Sequence, residues 1–560
     1  MKPNLAILCA SLALASSCAE SGSSPEAAIE WVAAPSRAGW SSDAASPGFT
    51  LVAPLRSKWA YLVDMSGTAV HAWETVGTPG VAVYLTERGT LLRCNQVEDH
   101  PIFTGGGQGG WVQEIDADGS LLWDLRWDSE TGLHHHDIEE LPNGNVLLIA
   151  WDRYTREEAL ARGRDPELLE GEEFWPDAIY EIQPTRPEGG EVVWSWHAWD
   201  HLIQDFDPKA PNYGDPAEHP ERIDINGDRD PEPPSEALLA REEAQMAALG
   251  YAGDDGDGDE ADDPGPAAGD RGPGGDREED PEKAAQKKRV KNADWMHTNG
   301  IDYNAELDQI AISIRRFDEV WIIDHSTTTA EAASSRGGRW GKGGDLLYRW
   351  GNPFAYGMGE WEDRELFGQH HVQWIPEGYL GAGNLILFNN GSRRLPEPEG
   401  EDVEREEWSS IDEWWVPRDA DGHYARVEGE PFGPRSPDWR YESTPRSEFF
   451  SSFISGVQRL ENGNTLVCSG AQGWVFELTP DGDVVWDWKN PYGYHESELE
   501  TAKEDPGDAK PTSLFRATRY AADHPGIVAL RAKGADIPDD PGTGPATHQR
   551  AEVDEPAQED

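Results

Sequence analysis

The sequence predicts an all-β fold, a six-bladed β-propeller, on three observations. Two kinds of β-hairpin alternate along the chain, turn residues punctuate almost every strand, and tryptophan is unusually frequent. The 560 residues include 25 tryptophans, 59 glycines and 41 prolines. That composition suits many short strands joined by tight turns and argues against long helices.

The first kind of hairpin is clearest in WVFELTPDGDVVWDWKNP (474–491), where alternation runs on both sides of a Pro-Asp-Gly turn. Relatives are AYLVDMSGTAVHAWE (60–74), WVQEIDADGSLLWDLRW (111–127), AIYEIQPTRPEGGEVVWSW (178–196) and the longer segment 319–350. A degraded copy pairs WSSIDEWWVP (408–417) with the strand around Trp439 to Tyr441. Between them lies a second kind: YLTERGTLLRC (84–94), HDIEELPNGNVLLIA (136–150), NGIDYNAELDQIAISIRR (299–316), HVQWIPEGYLGAGNLILFNNG (371–391) and SGVQRLENGNTLVCSG (455–470). Asn-Gly and similar turns between alternating runs are strong hairpin signals. Two hairpins make a four-stranded blade, and about six blades closed in a ring leave few free sheet edges. The Trp-X-Trp strands are then packing, their indoles filling the wedge between blades.

The ends and the insert follow from composition. Residues 1–18 have a lysine, an apolar run from Leu5 to Ala15 and small residues before Cys18, the layout of an export signal too short to span a bilayer. Cys18 is either a lipidation site, which would attach the protein to a membrane, or lies at simple cleavage; both place the mature protein in the periplasm or on the outer membrane or cell surface. A linker covers 19–46, the propeller 47–531, with an insertion at 203–292, and an acidic tail 532–560. The formal charge is −59; residues 251–282 carry 13 acids and 2 bases, and 535–560 carry 8 acids and 1 base. Disorder is expected over 251–290 and in the tail. So acidic a surface argues against nucleic acid as a partner. The carboxylates of 224–230 and 254–260 lack the closing glutamate of a calcium loop and are better taken as solvated loops. Cys94 and Cys468 occupy equivalent positions in the first and last units, which ring closure would set side by side, either as a bridge or as two buried thiols.

The histidines cluster at the start of the second kind of hairpin. Matching Val457-Gln458 with Val372-Gln373 and Ile138-Glu139 sets His370 level with His136, while His297 and Asn299 share one strand face. Of His370 and His371 only one can point inward, since strand neighbours face opposite ways. His136, His297, His370 and Arg315 would therefore meet in the central channel as one cationic pocket. A guanidinium beside the imidazoles speaks against zinc and for sulfate or phosphate oxygens, whose geometry its planar fork matches. No phosphate-binding GxxxxGK[ST] loop is present, so a sulfuryl donor would be a small ester and no cofactor is called for.

These segments resemble the bacterial aryl-sulfate sulfotransferases. The likeness runs through HHDIEELPNGNVLLIAWD, DWMHTNGIDYNAELDQIAISIR, GKGGDLLYRWGNP, FGQHHVQWIPEG, SGVQRLENGNTLV and LFRATRY, in order over most of residues 47–525. The resemblance implies sulfuryl transfer from a small aromatic sulfate ester to a phenolic acceptor through a sulfated histidine, without an adenylated donor. It makes His370 the nucleophile, His297 and Arg315 the groups on the sulfuryl oxygens, and His135 or His136 the remaining imidazole, with Asn299, His371 and Asn390 beside the substrate. Family members often carry a separate N-terminal β-domain used in pairing, whereas the propeller is expected to begin near residue 47 here, which leaves dimerisation open; the chain also has no cysteine pair near the site and carries His371 where aspartate is frequent. Competing readings are a non-catalytic secreted propeller that binds, an aryl-sulfatase-like hydrolase, and a quinoprotein-like dehydrogenase, whose propellers have eight units.

Overall fold

The computed structural model describes residues 45–55, 57–97, 100–235, 238–239, 241–242, 281–394, 407–424, 426–493 and 512–542. They form six antiparallel blades of four main strands each. Blade 2 holds Pro79–Leu85, Leu91–Gln96, Gly110–Ile115 and Leu121–Arg126, and blade 3 holds Gly132–Glu140, Val146–Asp152, Asp177–Pro184 and Gly190–His197. Blade 4 runs Thr298–Asn304, Gln309–Ile314, Glu319–Asp324 and Tyr348–Trp350; blade 5 runs His370–Trp374, Leu385–Asn389, Ser410–Trp414 and Trp439–Tyr441. Blade 6 is Gly456–Arg459, Thr465–Ser469, Trp474–Leu478 and Val484–Lys489. The first strand of each is innermost, and neighbouring inner strands touch around the whole ring.

Blade 1 is assembled from both ends of the propeller. Its inner strand is Leu514–Tyr520, paired antiparallel with Phe49–Pro54, which continues outward to Trp59–Val63 and Ala69–Glu74. The sequence shows six outer hairpins but five inner ones, and this strand pair is the sixth. Closure also corrects the placement of the cysteines: blade 1 stands between the blades of Cys94 and Cys468, because the C-terminal strand supplies a further inner strand there. Both thiols are free and buried.

The seams between blades explain the tryptophans. Trp123, Trp196 and Trp486 are fully buried, and each donates its indole N–H to a backbone carbonyl of the following blade: Trp123 to Gly189, Trp196 to Gly344 and Trp486 to Met65, at 2.7, 2.7 and 2.9 Å. Fully burying such a side chain contributes roughly 2–3 kcal/mol. The indole thus fills the wedge and satisfies its one polar group in the same act. Ion pairs repeat along the seams as well: Arg459 of blade 6 with Glu413 of blade 5, and Arg519 of blade 1 with Glu477 of blade 6, all nearly inaccessible to water.

Two stretches expected to be disordered contain ordered structure. Residues Pro281–Val290 form a helix whose Val290 packs with Phe103, Trp151 and Trp175, so apolar burial overrides the surrounding charge. After the helix Pro525–Ala532, the chain continues to residue 542 along blade 1, with Ile537 buried and Met65 N–H donating to Pro541. Of the two candidate calcium loops, 254–260 lies outside the described residues. In 224–230, Asp228 pairs with Arg164 and Asp224 accepts the Asn226 N–H, so these carboxylates bind protein rather than solvent.

Candidate active site

The inner strands of blades 2 to 5 are interrupted near their starts. Relative to its partner strand, each carries one or two extra residues: between Pro79 and Val83, His134 and Ile138, Thr298 and Gly300, and His370 and Gln373. Such bulges break the simple alternation of a strand and re-aim its side chains. The backbone records this as positive φ at Val81, His136, His297 and His371, and Ile454 and Ser455, just before the regular inner strand of blade 6, share it. A β-branched residue such as Ile454 at φ 52° is a true outlier, and outliers held by their surroundings mark functional regions.

Three adjacent histidines have three different surroundings as a result. His134 accepts the Gly110 N–H at Nδ1 and lies 3.6 Å from Cys94 Sγ through Nε2. Burial, reinforced by His135, pulls its pKa down to about 3, and burial lifts that of Cys94, so the two form a neutral packed pair and not a thiolate dyad. His135 stacks on Trp151 with centroids 4.4 Å apart. Its Nε2 is 3.2 Å from Asp177 Oδ1 and its Nδ1 is 2.8 Å from His136 Nδ1. His136 in turn lies edge-on to His297, with ring centroids 4.4 Å apart.

The other imidazoles are fixed from outside the pocket. His297 Nδ1 is hydrogen-bonded to Asp294, whose second oxygen accepts the Trp151 indole N–H at 2.9 Å. His370 Nδ1 is 2.8 Å from Asn390 Oδ1. Asn390 Nδ2 donates to the carbonyls of Ser451 and Ile454, so the atom facing His370 has to be the amide oxygen. His370 Nδ1 therefore carries the proton and donates, while Nε2 accepts the Ile454 N–H at 3.2 Å. Burial and the Arg315 guanidinium hold the His370 pKa well below 6.5, with His297 and Arg516 acting in the same direction. Its imidazole is thus a neutral base near neutral pH. Arg315 begins the short 3-10 turn after the second strand of blade 4, and its N–H donates to the His297 carbonyl at 3.4 Å.

A second layer closes the channel beneath. Arg516 of the C-terminal strand donates to Asp137 at 2.6 Å, to the Asn299 carbonyl at 2.7 Å, and to Tyr84. Tyr84 also donates to Asp137, at 2.7 Å. His371 belongs to this layer: its Nδ1 accepts the Val457 N–H at 3.0 Å, and a Cβ on Gly456 would come within 2.7 Å of that nitrogen. One level further down, Asp302 has its pKa pushed up to about 7 by burial, and Glu139 is raised by burial and by Asp302. Above the pocket lies the GGGQGG segment, residues 105–110. A Cβ on Gly107 would sit 2.1 Å from His136 Nε2, so only glycine fits. Phe515 lies 6.3 Å from His136 and 6.4 Å from His370, ring centre to ring centre. His136, His297 and His370 are each 1% exposed or less.

A family model described as "Arylsulfotransferase (ASST)" matches residues 61–502. The chain belongs to the arylsulfotransferase family. The family carries aryl sulfotransferase activity, with an aryl sulfate as donor and a phenol as acceptor. No curated protein matches the chain. Among solved structures, it is similar to hydrazine synthase of Kuenenia stuttgartiensis at 9% identity and TM-score 0.33, covering 89% of this chain and 90% of that one. It is also similar to apo AztD from Citrobacter koseri at 10% identity and TM-score 0.28, covering 85% and 99%. Likenesses this weak bear on neither activity nor ligand.

Of the four residues expected to converge in this arylsulfotransferase, His136 and His297 lie ring to ring, Phe515 is near both His136 and His370, and the Arg315 guanidinium lowers the His370 pKa. The three residues assigned to the substrate also make contacts within the protein. Asn390 orients His370; Asn299 Nδ2 donates to the Gln369 carbonyl at 2.8 Å; His371 is in the layer below. Sequence reasoning missed Asp294, although it lies three residues before His297 in DWMHTNG, and Arg516 within LFRATRY. Asp177, in the stretch WPDAIY, carries no motif that would have marked it. Among the described residues, no group of three or more His, Cys, Asp or Glu is arranged to hold a metal, and no helix is long and apolar enough to cross a membrane.

Proposed function

We propose that this arylsulfotransferase works by a ping-pong route in which His370 is transiently sulfated. The observation that carries the proposal is the Asn390 clamp, which places the proton on His370 Nδ1 and so leaves Nε2 as the nitrogen with a lone pair. An imidazole of this kind, kept neutral by burial and by Arg315, can attack the sulfur of an aryl sulfate. The Ile454 N–H bond at Nε2 has to open for the attack. Arg315 and His297 then hold the sulfuryl oxygens as charge shifts towards the departing phenolate, the role that fixed cationic groups play in phosphoryl transfer. Phe515 offers an apolar wall to the aryl ring, and His136 handles the phenol proton.

Burial favours transfer over hydrolysis, because a sulfated His370 would be shielded from bulk water in a pocket whose histidines are 1% exposed or less. The first 18 residues support export, with Cys18 as the lipidation point or as a residue next to a simple cleavage site. With p-nitrophenyl sulfate, sustained p-nitrophenol release is expected only when phenol is present. Equal release without an acceptor would mean a hydrolase, and no release under either condition would mean a scaffold without turnover.

A further inference from the structure

We infer that Asp177 and His135 form a proton relay that switches His136 between acid and base in the two halves of the reaction. The inference rests on the sulfohistidine proposal and adds two positioning residues to it. Four contacts carry it. Asp177 Oδ1 lies 3.2 Å from His135 Nε2; Asp177 Oδ2 accepts the Thr298 N–H at 2.8 Å, which fixes the carboxylate. His135 Nδ1 lies 2.8 Å from His136 Nδ1, and the His135 ring is held flat against Trp151. All three side chains are 2% exposed or less.

Two nitrogens 2.8 Å apart share one proton, so the tautomers of the two rings are coupled. When His135 is an imidazolium paired with the Asp177 carboxylate, its Nδ1–H donates to His136 Nδ1, and His136 carries its proton on Nε2. When His135 is neutral, it keeps the Nε2–H that faces Asp177. Its bare Nδ1 then accepts from His136 Nδ1–H, and His136 Nε2 is unprotonated. Moving one proton across the pair therefore converts a donor at His136 Nε2 into an acceptor.

A ping-pong exchange between phenols needs this reversal. In the first half, His370 Nε2 forms a bond to sulfur and the sulfur–oxygen bond to the aryl group breaks, leaving its electron pair on the phenolate oxygen. That oxygen takes the proton of His136 Nε2, and His136 Nδ1 takes the proton of His135 Nδ1. The first phenol leaves neutral, and the missing proton is now registered on His135. In the second half, the acceptor hydroxyl gives its proton to His136 Nε2 while His136 Nδ1 returns one to His135. The acceptor oxygen bonds to sulfur, the sulfur–nitrogen bond to His370 breaks, and the starting state is restored.

Two variants test the relay because they jam it in opposite positions. In Asp177→Asn the amide oxygen keeps the Thr298 N–H, and the amide nitrogen faces His135 Nε2, so His135 is forced to the Nδ1–H tautomer and His136 Nε2 stays protonated. With p-nitrophenyl sulfate, whose leaving group needs no proton, the stoichiometric burst is expected to survive. Transfer of the sulfuryl group onward to phenol is expected to fall by roughly 10²–10⁴-fold, the range of general base catalysis. In His135→Asn the amide oxygen accepts His136 Nδ1–H and leaves Nε2 bare. Onward transfer is then expected to continue, whereas the burst from unsubstituted phenyl sulfate is expected to fall by a similar factor. Opposite splits support the relay. Equal slowing of both halves in both variants, or no change in either, would overturn it. Absence of any burst in the unaltered protein would refute the sulfohistidine proposal instead.

Discussion

Asn390 shows how one neutral side chain can define a nucleophile. It accepts from His370 Nδ1 and donates to two carbonyls, one of them on the strained Ile454. Asn390→Ala frees the ring to change tautomer and loosens Ile454. The single-turnover burst with p-nitrophenyl sulfate is expected to slow by roughly 10²–10⁴-fold, as when other orienting partners of a histidine are lost; an unchanged burst would separate Asn390 from the chemistry. A second residue-scale prediction concerns Asp302, whose folded pKa of about 7 lies above its ordinary value of 3.8. Burial disfavours its ionised form, so its contribution to stability is present at low pH and is lost as pH rises towards 7. Asp302→Asn can still accept the Trp374 N–H and carries no charge. Its stability relative to the parent is expected to rise between about pH 4 and 7, by at most about 1.4 kcal/mol per pH unit, and then level off. Urea titrations across that range would show a flat difference if the assignment of the raised pKa were mistaken.

At the scale of elements, the strands and turns were legible and the bulges were not. Turns such as Asn143-Gly144 and Asp481-Gly482, set between alternating runs, specify the hairpins by local chemistry alone. Bulges depend on what lies opposite, and alternation in HHHDIE cannot tell which imidazole leaves the sheet plane. The inner strand Leu514–Tyr520 was hidden for a related reason: its partner Phe49–Pro54 lies at the other end of the chain, with no turn to announce the pairing. Asp177 escaped notice because only the fold brings it to His135. The glycine segment over His136 is likewise meaningful only in three dimensions. Gly107→Ala places a methyl against the His136 ring, in a backbone conformation with φ 74° that alanine rarely adopts. Turnover is expected to drop by roughly 10²-fold, as for other small displacements in a reacting site, and thermal melting is expected to fall with it, because the strained backbone and the crowded methyl both penalise alanine. Full activity in this variant would show that the segment stands clear of His136 during catalysis.

For the molecule as a whole, the buried ion pairs join neighbouring blades as the tryptophans do, tying blade 5 to blade 6 and blade 6 to blade 1. Arg519 reaches from the closing strand to Glu477 of blade 6, and Glu477 also accepts from Asn464 and from the Ser46 N–H. Glu477→Ala leaves a buried guanidinium without its counter-charge, which typically costs about 3–5 kcal/mol. Chemical denaturation is expected to show that loss, and a change below 1 kcal/mol would mean that the closure is held elsewhere. The same closing strand carries Phe515 near both His136 and His370 and Arg516 beneath them, so ring closure and assembly of the site are one event. What the site is assembled to do can be read most directly by intact-mass and peptide-mass analysis after mixing the protein with an aryl sulfate and no acceptor. The sulfohistidine route requires a gain of one sulfuryl group on the peptide containing His370, removed on adding phenol. No added mass, or a label on another residue that phenol discharges, would contradict it.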